Sequence, residues 1–218
     1  ESPTAEGLAE VGKKFNVLKG RDFPASIRRI HRHNILVVGS FIMGLDVDEA
    51  GIGLRIAKAA SSYGVDILNA LFLTPLPGTR LWDQMKSDDR IAARQFPKDW
   101  RYYTLGFPTA RYRNFTSAQI IEEMNACNDD FYSRRRILAR VCRSLLAFRH
   151  PLLSLVSNLS YRGNARLNRR AYAQLDLLDD QVRRSLHHRA AQGARLSAAA
   201  SHVPHLSGGG AVQGEQVR

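Results

Sequence analysis

Two continuous apolar runs, Ile35-Leu36-Val37-Val38-Gly39-Ser40-Phe41-Ile42 and Val65 to Leu73, most tightly constrain what this chain can fold into. Such β-branched and apolar runs are expected of strands covered on both faces, as in parallel sheets. Between them Ile52, Ile56 and Ala59 or Ala60 recur at helical spacing, with Asp48 placed as an N-cap and Tyr63-Gly64 as a stop. Ala25 to His33 reads as a helix through Ile27 and Ile30, and Thr79 is placed to cap another through Leu81, Trp82 and Met85. This order predicts an α/β fold built from repeated β–α units on a parallel sheet. Two strands leave a parallel sheet with open edges. Residues 1–90 are therefore expected to form the C-terminal part of a larger β/α barrel, with the remaining strands before Glu1.

The rest of the chain changes character. Arg90 to Asn114 is irregular and aromatic (Phe96, Trp100, Tyr102, Tyr103, Phe107, Tyr112) and is broken by Pro97 and Pro108. It reads as a segment wrapping the barrel or as a functional loop. Ser117 opens a helical pattern through Ile120, Ile121, Met124, Phe131, Ile137, Leu138, Val141 and Leu145 that runs to His150-Pro151. A short apolar stretch, Leu152 to Leu159, and a final helix from about Asn164 to Arg189 follow. Residues 91–189 are thus expected to form the wrapping segment and an α-helical C-terminal domain. Residues 190–218, dominated by Ala, Gly, Ser and Gln, are expected to be a disordered tail.

The formal net charge of +12 points to polyanions, either nucleic acid or an anionic membrane surface. No lysine follows Lys98, and arginines cluster at Arg134-Arg135-Arg136, Arg140, Arg143, Arg169-Arg170 and Arg183-Arg184. A solvated helix face is the simpler account, and no fold signature for nucleic-acid recognition accompanies the arginines. Leu145 to Phe148 and Pro151 to Val156, flanked by Arg143, Arg149 and Arg162, would suit shallow insertion at anionic headgroups. Packing of those leucines on the barrel is the favoured alternative. The longest apolar runs fall short of the roughly 20 residues that span a bilayer. Cys127 and Cys142 make no secreted disulfide framework and read as buried apolar side chains in a reduced, cytoplasmic setting. Peripheral contact with the inner membrane face stays open as a variant of that localisation.

In a parallel β/α barrel the working face lies at the C-terminal ends of the strands. After the first run comes Ile42-Met43-Gly44-Leu45-Asp46-Val47-Asp48. There Gly44 permits close backbone approach, and the two aspartates could accept hydrogen bonds from hydroxyls or an amine. The ordinary account is a glycine turn and a helix cap. After the second run comes Leu73-Thr74-Pro75-Leu76-Pro77-Gly78-Thr79. This stiff loop can present fixed backbone groups to a flat heterocycle. No residue reads as catalytic by itself, and none as a metal ligand.

Glu1-Ser2-Pro3, Phe41-Ile42-Met43-Gly44-Leu45-Asp46 and Leu73-Thr74-Pro75-Leu76-Pro77-Gly78-Thr79, in that order, resemble the second half of the radical S-adenosylmethionine (SAM) barrel. With Asp83-Gln84-Met85, Asp99-Trp100 and Tyr132-Ser133-Arg134, the resemblance extends to radical SAM proteins that carry a cobalamin-binding domain, such as bacterial hopanoid methylases. It covers roughly residues 1–145. It implies that Glu1 and Ser2 meet the SAM ribose or methionine moiety. It further implies that Ile42 and Gly44, with Asp46 close by, pack beside the adenine, and that Leu73, Thr74 and Pro75 flank it. Ser40 stands where the family usually has glycine, and Val47 where it often has an acid.

The family's three-cysteine loop for a [4Fe–4S] cluster and its Asp-x-His-x-x-Gly cobalamin motif are absent from this sequence. The resemblance therefore implies a fragment, inactive alone. Its partner would be the missing N-terminal half of the same polypeptide, and the intact parent would cleave SAM and transfer a methyl group to a substrate that could be lipid-like.

Overall fold

The computed structural model describes residues 2–12, 22–95 and 97–175. Helix α1 (Ala5–Glu10) is capped by Thr4, and helix α2 (Phe23–His31) by Asp22. Strand β1 (Val38–Met43), helix α3 (Ile52–Tyr63) and strand β2 (Ile67–Phe72) form one right-order β–α–β unit, with β1 and β2 parallel and Ser40 opposite Asn69. Helix α4 (Arg80–Ser87) follows, then a 3-10 turn at Lys98–Tyr102 and helices α5 (Ser117–Phe131), α6 (Arg134–Leu146) and α7 (Pro151–Tyr172). Among the described residues the sheet has two strands, so the fold is α/β with a small parallel sheet, and no closed barrel is present.

Strand period sorts the side chains. Phe41 and Met43 on β1, with Leu68 and Phe72 on β2, point into the core against α3 and α5. Ser40, Ile42, Asn69 and Leu71 alternate with them on the other face, where Ser40 is exposed and the other three are half-buried. Helix α3 buries Ile52, Ile56, Ala57 and Ala60 along one stripe. At Gly53 the backbone of α5 comes so near that a Cβ would sit 2.0 Å from the carbonyl oxygen of Glu123. Only glycine permits that approach.

The start of α3 differs from expectation. Its N-cap is Gly51, with φ 86°, and no side chain of the α3 segment caps it. The Glu123 carboxylate, arriving from α5, accepts from Gly51 N at 2.7 Å and Gly53 N at 2.8 Å. Negative charge at the helix's positive end makes these strong bonds. Asp48 instead turns back on its own loop, because the chain needs three further residues before it becomes helical.

The sheet's two edges are unlike. Ile67 N donates to Val37 O and Leu73 N to Met43 O, so the even spacing of a parallel ladder sends the amides and carbonyls of Leu68, Ala70 and Phe72 to the far side of β2. That side is occupied: Leu68 N donates to the Tyr132 hydroxyl at 3.0 Å, which donates to Leu68 O at 2.6 Å, and Phe72 N donates to Leu105 O at 2.9 Å. On the far side of β1, no hydrogen bond meets the backbone of Val38 or Ile42 among the described residues. The β2 edge is sealed, and the β1 edge has no partner at Val38 and Ile42 among the described residues.

Downstream, the long helix expected from Ser117 to His150 is two helices that part at Tyr132-Ser133, and its cap is Thr116, in a capping box with Gln119. The stretch Leu152 to Leu159 and the helix expected from Asn164 are one helix, α7, opened by Pro151 at its first turn. The segment from 91 to 114 is irregular as expected, tied by the 3-10 turn and a single antiparallel bridge between Ile91 and Ala110. Cys127 is buried, but Cys142 is exposed, a correction to its expected burial. The leucines expected to pack on the barrel mostly do not: Leu145, Leu146, Leu152 and Leu153 are exposed, and only Leu155 packs partly against the core. No described helix is long and apolar enough to cross a membrane. Phe96 and the expected tail, residues 190–218, lie outside the described residues, as does the C-terminal end of the expected last helix.

Candidate functional site

Ile42, Gly44 and Leu73 to Pro75, singled out in the sequence, lie at the C-terminal ends of β1 and β2, and Tyr112 joins Gly44 to Leu73. Gly44 has φ 98°, and a Cβ there would lie 2.6 Å from the Tyr112 ring. The close approach that Gly44 permits is therefore to this side chain. The Tyr112 hydroxyl donates to Leu73 O at 3.2 Å, and its ring lies 6.5 Å from that of Phe72. Burial pushes the Tyr112 phenol far above its usual range, so it stays a neutral donor. Tyr112 was not among the sequence candidates. Its signal, one aromatic residue among several in an irregular segment, carries no register.

Both aspartates of the first loop are engaged within the molecule. Asp46 holds Arg90 through both carboxylate oxygens, at 2.5 and 2.9 Å, and lies 3.5 Å from Arg113. This pairing raises the Arg90 guanidinium above its ordinary value. Asp48 accepts from Gly44 N and Leu45 N, each at 2.9 Å, while burial, its largest influence, raises its carboxyl above the ordinary range. Glu10 reaches from α1 to the amides of Asp46 and Val47, and Asn114 donates to the carbonyls of Asp46 and Asp48. The loop is a tied structure whose carboxylates have partners.

After β2, Leu73, Thr74 and Pro75 are buried, and Leu76 onward is exposed. The Thr74 hydroxyl donates to Phe72 O at 3.0 Å, and Thr79 caps α4 as expected by accepting from Trp82 N. Ser2 is buried beside α1, with its hydroxyl 3.2 Å from that of Thr4. The structure thus brings Gly44, Leu73 and Ile42 to one end of the sheet. Asp46 sits at its border, and Ser2 lies in the neighbouring α1 segment. Glu1 is outside the described residues.

The open face of the sheet carries one polar pair. Asn69 Nδ2 donates to Ser40 Oγ at 3.4 Å, between half-buried Ile42 and Leu71. Asn69 was missed in the sequence, although a polar residue two places from both Ile67 and Leu71 marks a second face in an otherwise apolar run.

These groups fit one flank of a nucleoside: apolar side chains at Ile42 and Leu71, a polar pair, and the rigid backbone from Leu73 to Pro75. They offer no unengaged carboxylate for an amino-acid ammonium. An iron–sulfur cluster or cobalamin does not fit the described residues. Cys127 is buried, with its thiol pushed up to about 12 by that burial, and Cys142 lies exposed on another helix. No three His, Cys, Asp or Glu side chains gather as a metal site among the described residues.

A concavity lies at the opposite end of the sheet. It is a cleft of about 500 Å³ lined by Arg135, Arg136, Arg140 and Arg143 on α6, with Ser61, Val65 and Asp130. Arg136 donates to Ser61 Oγ at 2.8 Å and pairs with Asp130. The sequence disclosed these cations but not that they line one cleft.

Known proteins resemble this chain over part of its length. A protein named as an uncharacterized methyltransferase in Pyrococcus horikoshii is 26% identical over 140 residues, which is 64% of this chain and 29% of that protein. A second, also named as an uncharacterized methyltransferase, from Synechocystis, is 30% identical over 91 residues, or 42% of this chain and 17% of that protein. The chain spans under a third of the length of either relative. No family model matches the chain, and no solved structure does.

Proposed function

We propose that this chain is the closing part of a SAM-using methyltransferase of the radical SAM type. In this reading β1 and β2 are the last two strands of a barrel, and their uncovered face and C-terminal ends form one wall of the SAM pocket. The observation that carries the reading is the asymmetry of the sheet. The edge of β2 is sealed by Tyr132 and Leu105, whereas on the side of β1 where a preceding strand would add, the backbone of Val38 and Ile42 has no hydrogen bond among the described residues. A sheet with one finished and one unfinished edge, bearing a half-buried polar pair on its bare face, is what the end of a barrel requires. The relatives named as methyltransferases, of which this chain matches under a third, support the same assignment of activity.

Within it, Ile42 and Leu71 would pack on the adenine, the backbone from Leu73 to Pro75 would flank it, and Asn69 and Ser40 would face the ribose. Tyr112 would hold the two strand ends at fixed spacing. SAM, when bound, would supply the methyl group. Glu1 and Ser2 would lie toward its ribose or amino-acid end, the chain would line part of the substrate channel, and the ligands of any cluster or cobalamin would come from outside this chain.

Methyl-detected NMR of the 218-residue chain titrated with SAM tests the reading. Perturbation of the Ile42, Leu71 and Leu73 methyls, with Leu146 unmoved, is the expected result. Shifts confined to the arginine cleft would place any nucleotide affinity elsewhere and end this assignment of the pocket wall.

A further inference from the structure

Toward its turn the α6–α7 hairpin is inside out, although Ile137, Tyr172 and, in part, Leu155 pack its other side on the core. Where its helices meet, the buried residues are polar: Ser144, Ser154 and Asn158 are each 0% exposed, and Arg140 and Arg149 are buried with them. Outside, Leu146 is 81% exposed, Phe148 93% and Leu152 73%, with Leu145, Leu153 and Val156 also exposed. Exposed large apolar side chains are ordinary when scattered singly. Here they gather around one turn and continue up α7 at Leu152, Val156 and Leu159, the spacing of a single helix face. Phe148 has φ 51°, an uncommon conformation for a bulky residue, and it holds a nearly bare aromatic ring at the tip of the hairpin.

Charge says what covers this surface. From Phe131 to Leu175 the sequence holds ten arginines and neither Asp nor Glu. Four of the arginines line the cleft along α6, one of whose ends leads toward the apolar turn. The acids that face these cations from α5 are already committed, Asp130 to Arg136 and Asp129 to Arg169. On α7, Arg162 is held below its ordinary value, by burial first and then by Arg166 and Arg134. A bound anion would relieve that crowding.

We infer that the α6–α7 hairpin docks on an anionic phospholipid surface, with Leu145, Leu146, Phe148 and Leu152 entering the acyl boundary and the flanking arginines engaging lipid phosphates. Neither helix is apolar enough to cross, so the contact is interfacial. Arginine suits it because its planar fork binds phosphate oxygens in pairs. The inference stands on the hairpin alone and does not depend on the proposed SAM pocket.

Flotation of the 218-residue chain tests it, using vesicles of phosphatidylcholine alone and of phosphatidylcholine mixed with phosphatidylglycerol. Binding is expected on the mixed vesicles only and should weaken as salt rises. The double variant Leu146→Ser, Phe148→Ser should weaken it by about tenfold or more, since two apolar groups no longer enter the boundary. Its circular dichroism and melting midpoint should match the parent's. Arg134→Gln with Arg135→Gln should reduce the salt dependence. A Leu146→Trp variant should show blue-shifted emission on mixed vesicles, which reports insertion directly.

Three results would overturn the inference. One is equal binding, or none, on the two vesicle types. Another is binding to random duplex DNA at the same salt that survives the double serine variant, which would make the arginines a nucleic-acid site. The third is a dimer in solution that the double serine variant converts to monomer, which would make the apolar turn a self-association surface.

Discussion

The β–α–β layer and the α6–α7 hairpin share one chain and use opposite rules of burial. In the layer, Met43, Ile52, Ile56, Leu68 and Phe72 are interior, and polar groups such as Ser40 and Asp46 sit at the border. In the hairpin, the interior toward the turn is Ser144, Ser154, Asn158 and Arg140, and most of the leucines face out, with Ile137, Tyr172 and partly buried Leu155 tying its other end to the core. The layer's stability comes from apolar area removed from water. The hairpin's shape comes from a hydrogen-bonded seam. Asn158 Oδ1 accepts from Arg140 Nε at 3.0 Å and Nη2 at 2.7 Å, while its Nδ2 donates to Ser154 O and Asp66 O. Even so, the hydroxyls of Ser144 and Ser154 and two nitrogens of Arg149 are buried without a hydrogen-bond partner among the described residues. Such groups cost stability. The hairpin is therefore held by a polar seam at its turn end, and the layer by its apolar interior.

The comparison is tested hardest at Phe72. It is 1% exposed, lies beneath the rings of Tyr112 and Tyr172, and has its amide in the sealed edge. Phe72→Ala is expected to lower unfolding free energy by about 3–5 kcal/mol in urea titrations, the range for a deleted core aromatic. A loss below about 1 kcal/mol would mean the layer is not the source of stability, and the contrast between the two regions would collapse.

The seam should respond differently, because its partners can be removed together. Asn158→Ala leaves the Arg140 guanidinium buried over the Phe131 ring at 4.0 Å with the Phe131 carbonyl as its remaining acceptor. Burial already pulls that guanidinium down to about 10, so it stays charged at neutral pH and still needs an acceptor. A loss of about 2–4 kcal/mol is expected. The paired change Arg140→Met, Asn158→Leu removes the charge along with its acceptor and should recover most of that loss, since apolar replacement of a buried polar group is often neutral. With the singles Arg140→Met and Asn158→Leu completing a double-mutant cycle, additive losses would show that the seam is held by packing and not by the Arg140–Asn158 bonds.

The two regions also differ in how far they could be read from residues alone. The strands were legible because continuous β-branched and apolar runs leave few alternatives, although the face bearing Ser40 and Asn69 is not covered as such runs suggested, and Gly64 and Thr79 end and begin their helices where expected. Asp48 misled because capping chemistry is local, whereas α3 takes its cap from Glu123, distant in sequence on α5. The break at Tyr132-Ser133 was hidden because apolar spacing continues across it while Tyr132 turns to seal β2. At the candidate site, the strand-end residues were legible and Tyr112, which binds them together, was not. In the hairpin, the apolar runs at Leu145 to Phe148 and Pro151 to Val156 were legible, but not that the second is one face of a helix or which way it points. A stripe of leucines looks the same whether it faces a core or a membrane.

The direction of that stripe sets the smallest expected effect. Leu146 is an ordinary large apolar residue by type, and its counterpart in the layer, Leu68, is 1% exposed. Replacing a residue like Leu68 by serine removes a buried side chain and leaves a cavity with an unpaired hydroxyl, which costs several kcal/mol. Leu146 is mostly in water, so Leu146→Ser has little burial to lose and is expected to change stability by no more than about 0.5 kcal/mol. Paired urea titrations of Leu146→Ser and Leu68→Ser measure the difference directly. If Leu146→Ser cost more than about 2 kcal/mol, the apolar turn would be packed in solution. The hairpin would then obey the same rule of burial as the layer.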